Sequence, residues 1–435
     1  MDALFVGGAW ATARAGRRIS VVSPSTEEEI GTVAEAGAAE ADAAVAAARA
    51  AFEDPTGWAN WLPAERAAAL ERLAAGLYRR GARIANLVST QTGLPIAQSS
   101  SQEAELPAQL LCHYADMLRR SAFEQRRPRS AERTTLVRRE PVGVVAAITP
   151  SRLPQTSAAM RYAPALAAGC TLVLKPSARA VLDTVPLAEA ALEAGLPPGV
   201  FNVLPGGAGL GGYLVGHPGV DAVTFAGSAS VGRGIASTCG QLLRPVTLEL
   251  GVSSTVLVLD DADLTAIGEP LLGALLRHGG LGGLGSRVLA PKSRYAEVVE
   301  LLVGLVRSLR VGEPLDERTQ LGPLTSAEQR EEVERHIAVG VAEGARLVAG
   351  GGHPPGRSRG WFLEPTVLAD ADNHQVIARQ QVRGPVLAVI PYSDDADALR
   401  IANDSKHGLA GSVWTSDADR GLRLARQVRT GTIGV

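Results

Sequence analysis

The sequence has little cysteine, no long apolar run and almost no net charge, and each shortage argues against a class of protein. Its three cysteines, Cys112, Cys170 and Cys239, lie far apart without CxxC spacing, which predicts a cytoplasmic protein without disulfides or a metal site. No apolar run approaches the roughly 20 residues of a membrane span, and the first residues, MDALFVGGAW, lack a signal-peptide pattern. The 43 basic and 45 acidic residues leave a net charge of -2, which argues against nucleic acid as a partner.

The sequence does contain enough apolar residues to form the cores of two or three domains. It has 435 residues, of which 46% are hydrophobic and 20% are charged, so it is long and apolar enough to fold around sizeable cores. Apolar residues at helical spacing predict helices over 34–51 and 64–80. Charges and Pro128 interrupt that spacing, and residues 121–139 are predicted to form an exposed β-hairpin arm.

Strands and helices then alternate five times. VGVVAAI, CTLVLKP, FNVLP, DAVTFAG and VTLELG are short apolar runs, separated by segments with helical spacing. Near-continuous apolar strands are buried on both faces, so this pattern predicts a parallel, Rossmann-type sheet. The predicted α/β domains are a nucleotide-binding domain over 1–120 and 140–250 and a second domain over 251–435, with helices over about 264–277 and 295–309.

Ordered motifs along the whole chain carry a resemblance to a family. They include REPVGVVAAITP, YAPALAAGCTLVLKPS, FAGSASVG, VTLELG, GSR, GWFLEPTVL, GPVLAVIPY and NDSKHGLAGSVWT. The chain resembles the aldehyde dehydrogenase superfamily. The resemblance implies a cofactor domain, a catalytic domain and an oligomerisation arm, and we expect a homo-oligomer, a dimer. The sequence stops at RTGTIGV, before the family's last strand, so we expect a divergent, C-terminally truncated member.

Four positions, in three motifs, depart from the family's catalytic pattern. The resemblance places the cysteine nucleophile five residues before Arg287, where this sequence has Gly282. PSRLP stands at the family's P-W-N-F-P site, so Arg152 replaces the amide that holds the oxyanion. In QQVRGPV, Gln381 replaces the ribose-binding glutamate and Arg383 replaces an aromatic residue. Loss of a nucleophile lowers a rate by about 10⁶-fold, which predicts that thiol-dependent oxidation is lost.

Other family positions are retained. Glu249 stands where the family has its water-activating base, and a carboxylate that caps a loop is the alternative for it. Lys175 and Ser177, in LKPS, stand at the adenosine ribose. GSASVG, which contains Gly227, Ser228 and Gly232, is the better candidate for the pyrophosphate site, because a helix begins there and exposes free amides. GAGLGG, at 207–212, fits GxGxxG only formally.

We predict that the protein binds NAD(P) weakly or binds no cofactor. Ala178 stands where the resemblance predicts an acidic residue that would repel a 2'-phosphate, so NADP is expected to bind at least as well as NAD.

Three hypotheses for function follow. The first is a repurposed pocket in which Arg152, Arg383 and His278 bind an anionic or carbonyl small molecule while Glu249 acts as an acid or base without redox chemistry. The second is a non-catalytic subunit that partners another protein. The third is an NAD(P)-dependent aldehyde dehydrogenase.

Overall fold

The computed structural model describes residues 3–13, 16–130, 133–251, 253–276 and 287–435. The chain divides into two compact units, each described by itself below. Unit 1 comprises residues 1–22, 28–91 and 97–250, and unit 2 comprises residues 23–27, 92–96 and 251–435.

Eleven strands and nine helices are described from the N terminus to residue 250. In chain order they are β1 (Ala3–Val6), β2 (Ala9–Thr12), β3 (Arg18–Val22), β4 (Glu29–Ala34), α1 (Ala38–Glu53), α2 (Pro63–Arg79), α3 (Gly81–Thr92), α4 (Ile96–Gln98), α5 (Leu106–Arg120), β5 (Glu124–Ser130), β6 (Arg133–Arg138), β7 (Val144–Ile148), α6 (Pro154–Ala168), β8 (Thr171–Lys175), α7 (Thr184–Glu193), β9 (Phe201–Val203), α8 (Ala208–Gly216), β10 (Ala222–Gly227), α9 (Ala229–Gln241) and β11 (Val246–Leu250). A 3-10 turn covers Trp58–Asn60, and a π-helical segment covers Ser99–Glu105.

The main sheet of unit 1 has the strand order β11-β10-β7-β8-β9-β1-β2. The strands from β11 to β9 run parallel, and β1 pairs antiparallel with both β9 and β2. Every residue of β7, β8 and β9 is buried, as near-continuous apolar runs between helices require. This sheet confirms the predicted Rossmann-type α/β fold.

The strand order places a topological switch point between β7 and β10. From β7 the chain proceeds outward to β8 and β9, and it then returns to add β10 and β11 on the other side of β7. At such a point the loops that leave the carboxyl ends of two neighbouring strands diverge, which opens a crevice where open α/β sheets bind ligands. The loops that follow β7 and β10 therefore border the expected binding crevice of unit 1.

The predicted helix boundaries differ from the observed ones at the first helix. Residue 34 still pairs in the β3–β4 hairpin, opposite Arg18, and the helix begins only after Gly37. The Gly37 amide donates to Oε2 of Glu40 at 2.8 Å, so the first turn is capped by its own glutamate. The sequence analysis did not predict α5 or the π-helical segment before it.

Unit 2 contains a second seven-stranded sheet. From residue 255 onward the described elements are β12 (Thr255–Val258), α10 (Leu264–Leu276), β13 (Arg287–Pro291), α11 (Tyr295–Ser308), α12 (Ala327–Ala342), β14 (Arg346–Ala349), β15 (Thr366–Ala369), α13 (Val376–Arg379), β16 (Val386–Tyr392), α14 (Asp395–Asn403), β17 (Ala410–Trp414), α15 (Ala418–Ala425) and β18 (Thr432–Gly434). The strand order is β14-β15-β16-β13-β12-β17-β18, and only the β14–β15 pair is antiparallel. The predicted second α/β pattern is thus also confirmed.

Within the described residues, none of the helices combines the length and the apolar composition that crossing a membrane demands.

Arg287 is a buried cation at the start of β13. Its side chain is 1% exposed, and it donates from Nη1 to Oδ1 of Asn373 and from Nη2 to Oγ1 of Thr255, both at 2.7 Å. Burial lowers its pKa to about 10. Nη1 and Nη2 also reach the carbonyls of Ile401 and Ala402 at 3.3 Å, so one guanidinium ties the end of α14 to two central strands.

We therefore predict that Arg287→Lys destabilises the protein. An ammonium group cannot make the forked set of hydrogen bonds and leaves buried acceptors unpaired, so the free energy of unfolding should fall by about 2 to 4 kcal/mol. Chemical denaturation measures the change. Arg346→Lys is the matched control, because Arg346 pairs with Asp370 while 60% exposed, and it should change stability by less than about 0.5 kcal/mol. Equal effects of the two substitutions would contradict this account of Arg287.

Candidate active site

The candidate site of unit 1 centres on Glu249, the fourth residue of β11. Glu249 lies opposite Ala226 of β10 in the parallel register, and its side chain is 47% exposed. Oε2 accepts a hydrogen bond from Nη2 of Arg161 at 2.8 Å. Among the described residues, Oε1 has no hydrogen-bond donor. One carboxylate oxygen is therefore held in place while the other can accept a proton from a bound molecule.

Arg161 is the residue that sequence analysis missed. It lies on α6 with a side chain that is only 5% exposed, and its Nη1 donates to the carbonyl and to the hydroxyl of Ser157, one turn earlier. A single basic residue within the small, apolar helix SAAMRYAPALAA was the available signal. The guanidinium is anchored within its own helix through Nη1, and its Nη2 is directed at Glu249.

Arg152 lies in the loop that follows β7, two residues before α6. The residue as a whole is half-buried, but its Nη2 atom is covered and has no hydrogen-bond partner among the described residues. Burial lowers the pKa of Arg152 to about 10, and the negative charge of Glu249 acts against that decrease. Arg152 thus offers an unused N–H group within the electrostatic reach of the carboxylate.

Lys175 ends β8, the other neighbour of β7. It is 6% exposed, and Nζ donates to the carbonyl of Gly206 at 2.9 Å. Burial lowers its pKa to about 8. Two residues later, the Ser177 hydroxyl accepts a hydrogen bond from the Arg179 amide at 3.3 Å. The other hydrogens of Nζ can be donated to a hydroxyl group of a ligand, such as one of a ribose.

The segment from Gly227 to Gly232 joins β10 to α9 beside the switch point. Ser228 caps the helix, since its Oγ accepts a hydrogen bond from the Val231 amide at 3.4 Å. A side chain at Gly232 would place its Cβ 2.4 Å from Leu250, so glycine allows the helix to approach β11. The other amides at the start of α9, a helix of 13 residues, lie beside the expected crevice. Free amides at a helix N terminus stabilise an anion such as a pyrophosphate.

Two of the predicted site residues that the structure describes, Arg383 and Gln381, belong to unit 2. Arg383 forms an ion pair with Glu332 of α12 and is 50% exposed. Its charge is already balanced, so no ligand anion is needed to neutralise it. Gln381 packs its side-chain oxygen against Gly251, where an added Cβ would lie 1.8 Å from Oε1. His278 and Gly282 lie outside the described residues.

We predict an asymmetry between the two halves of the Arg161–Glu249 pair. Glu249→Gln leaves a buried guanidinium without its counter-charge and should lower the free energy of unfolding by about 1 to 2 kcal/mol. Arg161→Met leaves a half-exposed carboxylate that water can solvate, and the loss should stay below about 1 kcal/mol. Urea denaturation of both variants measures the difference. A larger loss of stability in Arg161→Met than in Glu249→Gln would contradict the prediction that Arg161 depends on Glu249 for its counter-charge.

Comparison with known proteins agrees with this geometry. The model of the aldehyde dehydrogenase family matches residues 10–435. The chain is 47% identical over 433 residues to a geranial dehydrogenase from Castellaniella defragrans, and the match covers 99% of this chain and 90% of that protein.

Solved structures give the same result. An aldehyde dehydrogenase from Mycobacterium tuberculosis complexed with NAD+ superimposes with a TM-score of 0.96 at 43% identity, over 100% of this chain and 89% of that one. Aldehyde dehydrogenase C from Pseudomonas syringae, a variant with a cysteine replaced by alanine in complex with NAD+ and octanal, gives 0.95 at 35% identity, over 100% and 88%.

These similarities correct the main functional hypothesis of the sequence analysis. That hypothesis gives most weight to Gly282 and Arg152 and infers a protein that has lost aldehyde oxidation and reused its pocket, with a non-catalytic subunit as an alternative. It is wrong, because relatives that match nearly the whole of this chain are named as dehydrogenases of aldehydes. The third hypothesis, a nicotinamide-dependent dehydrogenase, agrees with the findings. The chain belongs to the aldehyde dehydrogenase family.

Proposed function

We propose that the protein oxidises an apolar aldehyde to its carboxylic acid with NAD(P)+ as the oxidant. The observation that carries the proposal is the Glu249 carboxylate, with one oxygen fixed by Arg161 and the other unbonded among the described residues. The relatives support the substrate class, since one is named for geranial and another was solved with octanal. The latter holds NAD+ and octanal although a cysteine is replaced, so neither ligand depends on that thiol there.

The residues of unit 1 fit a dinucleotide. Ser228 and the free amides that begin α9 would hold the pyrophosphate, and Lys175 would donate to a ribose hydroxyl. When bound, the oxidised nicotinamide accepts a hydride from the substrate carbon. Ala178 carries no negative charge to repel a 2'-phosphate, so the proposal includes NADP+ as a cofactor at least as good as NAD+.

The proposed chemistry assigns three roles to described side chains. Oε1 of Glu249 takes a proton from a water molecule as the water oxygen bonds to the carbonyl carbon, because Gly282 offers no side chain for that addition. The positive charge of Arg152 stabilises the negative charge that develops on the aldehyde oxygen. Arg161 keeps Oε2 hydrogen-bonded, so that Oε1 is the oxygen that accepts the proton.

The product of this addition is the monoanion of a gem-diol, because its second proton now lies on Glu249. Its carbon gives up the hydride to leave the carboxylic acid, which ionises, and Glu249 releases its proton to water. Overall, one aldehyde, one water and one NAD(P)+ yield one carboxylate, one NAD(P)H and two protons.

Assembly from copies of this chain is also part of the proposal. Leu243 and Leu242, just after α9, are 92% and 48% exposed. Large apolar side chains that neighbour one another at a surface are typical of protein interfaces.

The test is NAD(P)H formation by the purified, unmodified chain. With octanal and a saturating cofactor, we expect absorbance at 340 nm to rise, with kcat/KM for NADP+ at least equal to that for NAD+. Glu249→Gln should lower kcat by about 100-fold or more, because it removes the proton acceptor.

A matched control is Glu193→Gln. This carboxylate also pairs with arginines, at the surface, and its loss should leave kcat unchanged. Absence of NAD(P)H formation by the unmodified protein across aliphatic and aromatic aldehydes would refute the proposed function.

A further inference from the structure

Helix α6, which carries Arg161 and follows Arg152, has no cap of its own. Its N-cap residue, Leu153, adopts a left-handed conformation with φ of 46°, and no side chain of the N-cap accepts a hydrogen bond. The first amides are bonded instead by a residue about 50 positions earlier. The carboxylate of Glu103 accepts the Gln155 amide at 2.8 Å and the Thr156 amide at 3.4 Å.

Glu103 comes from the π-helical segment Ser99–Glu105 that precedes α5. Its side chain is fully buried, at 0% exposed. The Thr156 hydroxyl donates to the carbonyl of Gln102, so the π-helical segment and α6 are bonded at three points. Insertions of this kind within helices occur frequently at functional sites, where they redirect a side chain.

A second buried carboxylate supports the same turn. The Gln155 side chain donates from Nε2 to both the carbonyl and Oδ2 of Asp183, each at 2.7 Å. Asp183 also accepts a hydrogen bond from Gln91. The first turn of α6 is thus fixed by side chains from α3, from the π-helical segment and from the residue that precedes α7.

A buried carboxylate is costly, which argues that Glu103 has a role. Burial raises its pKa to about 8, with the two amide hydrogen bonds acting against the increase and the charge of Asp183 adding to it. Tyr162 of α6 also faces this charge. A neutral residue of the same size would avoid the desolvation.

Two paths lead from the capped turn to the candidate active site. Leu153 connects directly to Arg152, and the Leu153 carbonyl accepts the Ser157 amide at 2.8 Å. Ser157 in turn holds Nη1 of Arg161 through its carbonyl and its hydroxyl. Arg161 then holds Glu249. Movement of the first turn would therefore displace both arginines and release the carboxylate.

We propose that Glu103 is a positioning residue for aldehyde oxidation, which acts by capping α6 and thereby fixing Arg152 and the Arg161–Glu249 pair. This inference rests on the proposed function, and Glu103 itself contacts none of the reacting groups in it.

The test compares Glu103→Ala with Glu103→Gln. Alanine leaves two buried amides without an acceptor, and the resulting displacement should lower kcat by about 30- to 100-fold, a loss typical of misplacement by about 1 Å. Glutamine keeps an acceptor for the Gln155 amide, so its kcat should remain within about threefold of the wild type. KM for the cofactor should stay constant in both variants, since Lys175 and Ser228 are not displaced.

Ser89→Ala is the matched structural control. The Ser89 hydroxyl donates to Ser99 at 2.8 Å, and both residues are fully buried, so this variant perturbs the π-helical segment without removing the cap. Its kcat should match that of the wild type at a temperature where all variants are folded. Equal losses in Ser89→Ala and Glu103→Ala, or no rescue by glutamine, would overturn the proposal.

Hydrogen exchange of the ligand-free protein separates this inference from the proposed function. In Glu103→Ala, the amides of residues 155–161 and 247–250 should exchange faster, and in Ser89→Ala they should not. If the unmodified protein shows no turnover, the proposed function fails, and exchange still decides the role of Glu103. Unchanged exchange at 247–250 would overturn that role.

Discussion

The ion pair between Arg161 and Glu249 is the interaction on which the candidate site depends. It joins a buried guanidinium to a half-exposed carboxylate, so the two partners differ in what they lose when separated. The arginine needs its counter-charge because water cannot replace it, whereas the carboxylate can be solvated on its open side. The pair therefore holds the base without covering it, and that combination suits general base catalysis.

Three cations lie near the carboxyl ends of the central strands of unit 1. Arg161 and Lys175 are buried, and Arg152 is half-buried. Arg152 and Lys175 both have pKa values lowered by burial, to about 10 and about 8, and Arg161 is held by Ser157 and Glu249. Cationic groups kept in a partly dry crevice interact strongly with anions. In an aldehyde dehydrogenase the anionic groups are the dinucleotide phosphates and the oxygen that gains charge during reaction, so one electrostatic arrangement serves both binding and chemistry.

The sequence predicted what depends on local pattern and missed what depends on distant contacts. Apolar runs such as VVAAI and TLVLK lie on buried parallel strands. Lys175 ends β8 and Glu249 is the penultimate residue of β11, both at the predicted crevice. Arg161 meets Glu249 across 88 positions, which no local period reveals. Glu103 lies within SSSQEAE, a polar run typical of an exposed segment, and only the π-helical geometry turns it inward. Arg383, predicted to face a ligand, pairs with Glu332, a residue whose proximity depends on the fold of unit 2.

The central claim is that water activated by Glu249, rather than a protein side chain, adds to the aldehyde. Intact-protein mass spectrometry during steady-state turnover with octanal tests it most directly. The account predicts NAD(P)H accumulation while the protein keeps its unmodified mass, because no acyl group is ever attached to the chain. An acyl adduct that forms and decays at the rate of turnover, on Cys112, Cys170, Cys239 or any other residue, would contradict it.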